Sequence, residues 1–385
     1  MSREMFPGAH NTGHTSMDIH SIGEIGAKFD IAGRFLDGKL LTAGHINDTY
    51  VASYEVDGSV KKYVHQRINE RVFRDPESLM VNMSRVLDHL TSRWEGAPAP
   101  RPLHLIRTRD GNVFCRDEAG GFWRTYSHID GVVHKTATTA SQAEAVAWAF
   151  GMFQRDLVDF PSPDLSETIP DFHDTPKRFA VFESACASDP QGRAAACKRE
   201  IDFALARKSE VGVIQDLMLA ELLPKRIVHN DAKIGNVVFD SGSDAPLAIL
   251  DLDTVMTGSL LHDFGDLVRT MVCGAEEDEK LLELVSIRES YFEAVVRGYF
   301  SALRGMLSDA EKAHMVFSGK LISFELGLRF LTDYLLGDVY FKIDRPNHNL
   351  DRCRTQFRLV QSLEEHRAAL DVVVARIDAE HTGRS

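Results

Sequence analysis

The most informative stretch of the chain is Ile227-Val228-His229-Asn230-Asp231-Ala232-Lys233-Ile234-Gly235-Asn236-Val237-Val238-Phe239. Short β-branched runs at both ends predict two strands, and the polar segment between them predicts a loop. That loop carries Asp231 and Asn236, five positions apart. A second apolar run, residues 247–250, follows a turn-forming segment and places Asp251 at the end of another strand. The pattern therefore predicts a loop and a hairpin whose carboxylate and amide side chains meet.

An aspartate and an asparagine at this interval have a known use in phosphoryl transfer. In kinase catalytic loops the aspartate aligns the attacking hydroxyl or accepts its proton, and the asparagine holds magnesium. Asp231 is therefore the candidate catalytic residue, with Asn236 and Asp251 as candidate Mg²⁺ ligands and ATP as the phosphoryl donor. Asn-Asp pairs are also common in ordinary turns, so His229-Asn230-Asp231 alone predicts only a turn. The three residues taken together favour the kinase-type site.

A second acidic motif lies farther along the chain. Asp263-Phe264-Gly265 spells the metal-binding triad of protein kinases, but it lies too far beyond the hairpin for that role. It falls at the start of a predicted helix. We therefore expect Asp263 to cap this helix or to brace the catalytic loop.

Composition restricts the class of protein. The 385 residues are 44% hydrophobic and 26% charged, which predicts a globular chain long enough for two lobes. The net charge of -13 argues against a nucleic-acid partner. Five scattered cysteines without a Cys-x-x-Cys motif predict neither a disulfide framework nor a zinc site. No apolar run has the length of a signal peptide or membrane span, so we expect a cytoplasmic protein that binds small molecules, of unknown oligomeric state.

Strand patterns precede the catalytic loop. Residues 40–52 predict a strand, a turn at Gly44 and a second strand, and Asp57-Gly58 leads into a third strand. This order matches the roof of a kinase nucleotide site, although a single glycine fits an ordinary hairpin equally well. Residues 122–129 predict another strand, whose backbone end is expected to read adenine. The candidate nucleotide-binding residues are Gly44, Asn47, Thr49, Gln66, Arg67, Tyr126 and His128.

Helical patterns dominate the rest of the chain. After a helix near Pro76, the motif Ser141-x-x-Glu144 predicts a capping box at the start of the helical region. The clearest apolar stripe covers residues 317–335 and ends at Gly337. Three charged residues recur every four positions on a neighbouring face, and spacing alone favours a solvated face: Glu325, Arg329 and Asp333.

These patterns together predict an α+β, two-lobed, protein-kinase-like fold. A small N-terminal lobe with an antiparallel sheet precedes a larger, mostly helical C-terminal lobe. The predicted division is a flexible tail over residues 1–21, a nucleotide-binding lobe over residues 22–130, and a catalytic and acceptor-binding lobe over residues 131–385.

Eight segments carry a family resemblance: Gly44-His45-Ile46-Asn47-Asp48-Thr49-Tyr50, Phe172-His173-Asp174-Thr175-Pro176-Lys177-Arg178-Phe179, Gly192-Arg193-Ala194-Ala195-Ala196-Cys197, His229-Asn230-Asp231, Ile249-Leu250-Asp251-Leu252-Asp253-Thr254, Leu328-Arg329-Phe330-Leu331-Thr332-Asp333-Tyr334-Leu335, Gly337-Asp338-Val339-Tyr340-Phe341 and Asn347-His348-Asn349-Leu350. Over about residues 30–365 the chain resembles the aminoglycoside phosphotransferase superfamily and, more narrowly, the bacterial N-acetylhexosamine 1-kinases. The resemblance implies transfer of the γ-phosphoryl group of ATP to the anomeric hydroxyl of N-acetylglucosamine or N-acetylgalactosamine.

The resemblance also implies residue roles. Asp231 takes the position of the family's catalytic aspartate, which also contacts the sugar, and Asn236 and Asp251 take the magnesium positions. The remaining sugar-contacting positions fall on His45, Arg329 and Tyr340. For Arg329 the resemblance gives a different prediction from spacing: spacing alone favours a solvated surface position, whereas the resemblance implies that Arg329 lines the acceptor pocket.

One departure concerns the third strand. General kinases place a lysine there to pair with the α and β phosphates, whereas this strand reads Tyr63-Val64-His65-Gln66-Arg67. The N-acetylhexosamine kinases look similar at this position, which leaves phosphate neutralisation to magnesium and Arg67. Two alternatives stay open: a kinase for another small hydroxyl acceptor (an aminoglycoside, choline, homoserine or another sugar), and an inactive nucleotide-binding pseudokinase.

Overall fold

The structure is a computed structural model that describes residues 19–41, 46–94, 100–160 and 165–383. The strands in these ranges are β1 (Arg34–Leu41), β2 (Asp48–Val56), β3 (Ser59–Arg67), β4 (Leu105–Ile106), β5 (Cys115–Arg116), β6 (Phe122–Ser127), β7 (Arg226–Val228), β8 (Val237–Phe239), β9 (Pro246–Ile249) and β10 (Met256–Gly258). The α-helices are α1 (Ile19–Ala27), α2 (Pro76–Trp94), α3 (Ala140–Asp156), α4 (Thr175–Ser188), α5 (Lys198–Leu205), α6 (Val213–Leu219), α7 (Leu260–Met271), α8 (Glu289–Leu303), α9 (Asp309–Ala313), α10 (Met315–Leu336), α11 (His348–Glu365) and α12 (Arg367–Thr382).

The N-terminal strands form one antiparallel sheet in the order β1-β2-β3-β6-β4, with β5 also paired to β6. Asp57 and Gly58 join β2 to β3 with φ values of 51° and 76°. Positive φ at both central residues gives a turn whose twist suits a two-residue hairpin. The predicted hairpin and its Asp57-Gly58 turn are confirmed, whereas the predicted turn at Gly44 lies outside the described residues.

The C-terminal helices pack around α10, which contacts α4, α7 and α11. Its apolar face is buried as the stripe predicts, and Gly337 ends it in the left-handed region at φ 103°. The predicted capping box at Ser141 is wrong, because α3 is capped by Thr139, whose side chain accepts the N–H of Gln142. Thr139 and Gln142 have the same spacing as Ser141 and Glu144, and the structure uses the earlier pair.

The predicted fold class is confirmed, since an antiparallel sheet in the N-terminal region precedes a helical C-terminal part. The lobe limit after residue 130 lies in the segment between β6 and α3 and stays a prediction. Of the predicted tail, residues 1–18 lie outside the described ranges, and α1 begins at Ile19. No described helix combines the length and the apolar character that a membrane span requires.

Candidate active site

The loop between β7 and β8 is held by its backbone. Asn230 lies in the left-handed region at φ 62°, which asparagine tolerates better than most residues. Asp263 of α7 accepts the N–H of His229 at 2.9 Å with Oδ2 and the N–H of Asn230 at 2.6 Å with Oδ1. Gln154 donates to the same carboxylate at 2.6 Å. Asp263 therefore braces the catalytic loop, one of its two predicted roles, while Ser259 caps α7.

Further hydrogen bonds join this loop to the segment after β9. The buried His229 ring packs against two phenylalanines of α3 and its Nε2 lies 2.9 Å from the carbonyl oxygen of Leu250. Thr254 donates its hydroxyl to the His229 carbonyl at 2.7 Å, and Asn230 donates Nδ2 to the Thr254 carbonyl at 2.9 Å. The two segments that carry the predicted catalytic and metal residues are therefore fixed to each other.

The structure brings the three predicted catalytic and metal residues together. Asn236 donates Nδ2 to both the backbone oxygen and Oδ2 of Asp231, each at 2.9 Å. The N–H of Leu250 donates to the Asn236 carbonyl at 2.8 Å, which places Asp251 beside this pair. Asp251 adopts a left-handed conformation at φ 60°, and the residue is exposed to solvent. Strain of this kind is often found at functional sites.

Asp231 has a partner that the sequence reasoning missed. The Lys233 ammonium lies 2.7 Å and 2.9 Å from its two carboxylate oxygens. Burial alone would raise the pKa of Asp231, but the positive charge of Lys233 outweighs burial and holds the pKa well below its usual range. Lys233 lies in the quoted loop two positions after Asp231, so spacing could have identified it. The carboxylate is therefore ionised and a weak base at neutral pH.

The pKa of Asp251 is shifted in the opposite direction from that of Asp231. Burial among protein atoms, followed by the charges of Asp253 and Asp231, raises the pKa of Asp251 to about 6. Several protein groups surround the carboxylate even though solvent reaches it from one side. A negatively charged site of this kind is prepared to receive a cation.

Oxygen ligands of this type fit magnesium. Both described hydrogen bonds of the Asn236 side chain use Nδ2, which leaves Oδ1 as the atom for a metal. Within the described ranges no three His, Cys, Asp or Glu side chains are arranged to hold an ion by themselves. Magnesium at nucleotide sites is usually held by one or two carboxylates together with substrate phosphates and water. Asp251 and Asn236 therefore suit Mg²⁺ that arrives with a nucleotide.

We expect the Mg²⁺ requirement to change near pH 6. Below the Asp251 pKa of about 6, protons compete with the cation, so the Mg²⁺ affinity should fall by about tenfold per pH unit; above it, the affinity should level off. Calorimetry of Mg²⁺-dependent ADP binding from pH 5 to pH 8 measures this, after subtraction of the pH dependence of Mg·ADP formation in buffer. A flat corrected profile would contradict the expectation.

Two of the three charged residues on α10 are not solvated, so the reading from spacing is wrong. Glu325 is 1% exposed and Asp333 is 4% exposed, while Arg329 is partly exposed. Burial of isolated charges is costly, so each buried carboxylate should have partners. The structure supplies them, for Glu325 from a segment 150 or more positions earlier in the sequence and for Asp333 from the turn just after α10.

Glu325 connects α10 to the catalytic loop through a histidine. Its carboxylate lies 2.9 Å from Nδ1 of His173 and accepts the Thr175 hydroxyl at 2.6 Å. The other ring nitrogen of His173 lies 3.2 Å from the Asn230 carbonyl oxygen. Burial would lower the pKa of His173, but the Glu325 carboxylate outweighs it and raises the pKa. A buried, charge-assisted contact therefore joins the helix of Arg329 to the residue before Asp231.

Asp333 organises the turn that carries Tyr340. Its Oδ1 accepts the backbone N–H groups of Val339 at 2.9 Å and Tyr340 at 2.8 Å. Its Oδ2 accepts the N–H of Phe341 and the Asn349 side chain, both at 2.9 Å. Three backbone donors on one carboxylate give the turn after Gly337 a defined shape, and with it the position of Tyr340.

We expect Asp333→Ala to raise the KM for the acceptor at least about tenfold, because the turn then loses three hydrogen bonds and α11 loses the one donated by Asn349. The KM for ATP should change less than about threefold. Steady-state kinetics with each substrate varied measures both. Ser323→Ala is the matched control, since this buried hydroxyl only bonds the Gly319 carbonyl of its own helix. Equal increases in both KM values would indicate general destabilisation.

Arg329 lies among aromatic rings. Its guanidinium carbon is 5.4 Å from the ring centre of Phe172, 5.8 Å from that of Tyr340 and 5.6 Å from that of Phe341. Among the described residues no carboxylate lies within ion-pair distance of it, and such rings stabilise a cation without consuming its hydrogen-bond donors. Two predicted sugar residues, Arg329 and Tyr340, are therefore neighbours; the third, His45, lies outside the described residues.

Four of the predicted nucleotide residues each have a polar partner near the end of the sheet. Gln66 donates Nε2 to the Thr49 hydroxyl at 3.0 Å. Asn47 donates Nδ2 to Asp253 at 2.6 Å. Arg67 lies 3.8 Å from Asp117. Gly44 lies outside the described residues. The nucleotide-binding roles of all these residues stay predictions.

The two residues predicted from the end of β6 differ. The Tyr126 side chain is 5% exposed and its hydroxyl contacts Met83 Sδ at 2.8 Å, so its ring is not available to a ligand. His128 donates its backbone N–H to the Lys62 carbonyl at 3.1 Å, and its ring lies 3.3 Å from Asp130. Any adenine contact at this strand end therefore falls to the remaining backbone groups.

Comparison with known proteins shows the family and the fold of the chain. The profile of the phosphotransferase enzyme family (APH) matches residues 37–306. An aminoglycoside phosphotransferase from Alicyclobacillus acidocaldarius subsp. acidocaldarius DSM 446 is similar with a TM-score of 0.62 and 11% identity, over 94% of this chain and 98% of that one. A microcompartment-associated aminopropanol kinase is similar with a TM-score of 0.55 and 14% identity, over 92% and 99%. A spectinomycin phosphotransferase in complex with ADP and spectinomycin is similar with a TM-score of 0.52 and 12% identity, over 91% and 100%. At such identities the likeness shows a shared fold.

Proposed function

The chain belongs to the phosphotransferase enzyme family, whose profile matches residues 37–306, and from this premise we propose that it is an ATP-dependent sugar 1-kinase. The proposed acceptor is the anomeric hydroxyl of N-acetylglucosamine or N-acetylgalactosamine, and the product is the sugar 1-phosphate. The family membership supports phosphoryl transfer to a small molecule. The choice of acceptor rests on the face of α10 that carries Glu325, Arg329 and Asp333.

The observation that carries the acceptor class is the state of the carboxylates on α10. A cationic acceptor such as an aminoglycoside needs carboxylates that are free to face it. Both oxygens of Glu325 are engaged by His173 and Thr175, and both oxygens of Asp333 are engaged by the turn after Gly337. The exposed charge of this face is Arg329, a donor that suits hydroxyl and acetamide oxygens.

The proposed mechanism is alignment with electrostatic stabilisation. Asp231, ionised and held by Lys233 and Asn236, accepts a hydrogen bond from the anomeric hydroxyl and directs it in line with the γ-phosphoryl group. Because an anomeric hydroxyl is more acidic than an ordinary alcohol, a weakly basic carboxylate is sufficient. Lys233, whose ammonium contacts the Asp231 carboxylate, is suited to stabilise the transferred phosphoryl oxygens.

Magnesium, held by Asp251 and Asn236, would neutralise charge on the phosphates and orient them. Thr254 and His229 hold the two ligand-bearing segments together, and Asp263 braces the loop that carries Asp231. Arg329 and Tyr340 position the sugar ring, so that the acceptor hydroxyl rather than water faces the donor.

A coupled assay of ADP release over a panel of sugars, aminoglycosides and amino alcohols tests the proposal. We expect turnover with N-acetylglucosamine or N-acetylgalactosamine, and phosphorus NMR of the product should show a phosphate on the anomeric carbon. A preference for choline or an aminoglycoside would overturn the acceptor class. Nucleotide binding without turnover on any acceptor would favour the pseudokinase alternative.

Replacement of Arg329 is a sharper test of the role proposed for this face of α10. Arg329→Met is expected to raise the KM for the sugar at least about tenfold, because the hydrogen bonds to the acceptor are lost. The KM for ATP should stay within about twofold, because the aromatic contacts that are lost with them involve no candidate nucleotide residue. Arg116→Met is the matched control, since that arginine also lies over an aromatic ring, 3.8 Å from the centre of Phe122, but in the N-terminal sheet. Unchanged sugar KM would remove Arg329 from the acceptor site.

A further inference from the structure

A buried arginine takes part in a contact between two distant segments. Arg124 lies in β6 opposite Gln66 of β3 and is 1% exposed. It donates Nε and Nη2 to Gln66 Oε1 at 3.0 Å and 2.9 Å, and Nη1 forms an ion pair with Asp253 Oδ1. Gln66 is the residue at the strand-three position where general kinases place lysine. A cation that is absent from this one position of β3 is therefore present directly opposite it, on the adjacent strand β6.

Asp253 is held from a second side by the same sheet. Its Oδ2 accepts Nδ2 of Asn47 at 2.6 Å, and Asn47 in turn accepts the backbone N–H of Asn69 at 3.0 Å. Asp253 is 2% exposed and follows the candidate metal ligand Asp251 by two positions. Two residues of the N-terminal sheet region thus hold the segment that carries the ligand.

The helix behind the sheet does not supply a partner carboxylate. In protein kinases the strand-three lysine pairs with a glutamate of the following helix. Here α2 presents Met83, whose sulfur lies 3.7 Å from Arg124 Nη1. The α2 residue Glu77 instead pairs with Arg116 at 3.2 Å, on the exposed side. The lysine–glutamate ion pair of protein kinases is therefore replaced by an ion pair between Arg124 and the segment of residues 251–254, called the metal segment below.

The metal segment has reason to need such a contact. Asp251 is held at φ 60° and ψ 58°, and the next three residues form a tight helical turn. Two carboxylates within three residues repel each other, and a left-handed aspartate costs conformational energy. A buried ion pair contributes little net stability compared with apolar packing, so its position beside a metal ligand points to a role in geometry.

We propose that Arg124 is a positioning residue for phosphoryl transfer, which acts through Asp253 to hold the Asp251 segment in its metal-binding geometry. The inference rests on the proposed use of nucleotide and Mg²⁺ but not on the identity of the acceptor. Arg124 is too deeply buried to contact substrate, and its effect is therefore expected in the metal requirement rather than in acceptor binding.

The test compares Arg124→Met, Asp253→Asn and the double variant Arg124→Met/Asp253→Asn. The single Arg124→Met leaves a buried carboxylate unpaired and is expected to lower thermal stability, whereas the double variant removes both charges and keeps the Asn47 contact. In the double variant we expect thermal stability to recover toward that of the unmodified protein. The Mg²⁺ concentration for half-maximal ADP binding should stay raised at least about tenfold, and metal-free ADP affinity should stay within about threefold.

Arg226→Met/Glu311→Gln is the matched control, because this largely buried pair, 2.8 Å apart, shares no described side-chain hydrogen bond or ion pair with residues 251–254. It should leave the Mg²⁺ dependence unchanged. The proposal is overturned if the double Arg124 variant regains the normal Mg²⁺ dependence together with stability, or if metal-free ADP affinity falls as much as the metal-dependent affinity. Since calorimetric ADP binding needs no acceptor, a wrong acceptor assignment would change none of these readouts.

Discussion

Asp231→Asn is expected to lower kcat by about a thousandfold or more while the dissociation constants of sugar and nucleotide change less than about fivefold. The substitution keeps the shape of the side chain and its contact with Asn236 but removes the charge that aligns the acceptor hydroxyl. It also leaves Lys233 without its carboxylate partner, which should draw that ammonium toward the phosphates. Single-turnover kinetics and calorimetry with each substrate measure the two quantities separately.

Asp240→Asn, in the turn after β8, is the control for this variant, because its carboxylate only accepts hydrogen bonds from neighbouring turn residues. It should keep full activity. If Asp231→Asn instead loses affinity for both substrates, or unfolds at a lower temperature, the residue is structural and the proposed mechanism fails.

Asp251→Asn is expected to separate activity from stability. Loss of the charged metal ligand should lower kcat by about a hundredfold or more and raise the half-saturating Mg²⁺ concentration more than about tenfold. Thermal stability, in contrast to activity, should not fall. Because the folded pKa of Asp251, about 6, lies above its ordinary value, folding disfavours the ionised form, and this penalty is fully present above pH 6. A neutral amide should therefore keep or raise the melting temperature at pH 7 without metal.

Thermal unfolding at pH 4 and pH 7 checks the sign of this stability effect. The gain of Asp251→Asn over the unmodified protein should shrink as pH falls below the folded pKa, where Asp251 is itself neutral. A variant that melts well below the unmodified protein at pH 7, with an unchanged Mg²⁺ requirement, would exclude Asp251 from the metal site.

Much of the fold could be predicted because its signals are local. The Asp57-Gly58 turn, the apolar stripe of α10 and its end at Gly337 each depend on residues within a few positions of one another. The capping residue of α3 was misassigned because two overlapping motifs fit the same rule, and only the packing of the helix decides between Thr139 and Ser141. Local rules thus predict the presence of a helix or strand better than the residues at which it begins and ends.

The candidate site divides in the same way. The spacing of Asp231, Asn236 and Asp251 predicts that they meet, and the structure places them side by side. Their roles stay predictions until the variants are measured. Periodicity was a poor guide to the α10 charges, because a repeat of four residues is the same for a solvated face and for a buried face whose partners come from elsewhere.

The sequence by itself determined the catalytic loop, the hairpin after it and the helix that carries Arg329, since each follows from turn chemistry and periodicity within one segment. Only the tertiary structure decided that Glu325 is joined to the catalytic loop through His173, and that Arg124 pairs with Asp253, 129 positions away. The physical reason is desolvation: a buried charge must find its partner in space, and that partner lies in whichever segment the packed core brings beside it.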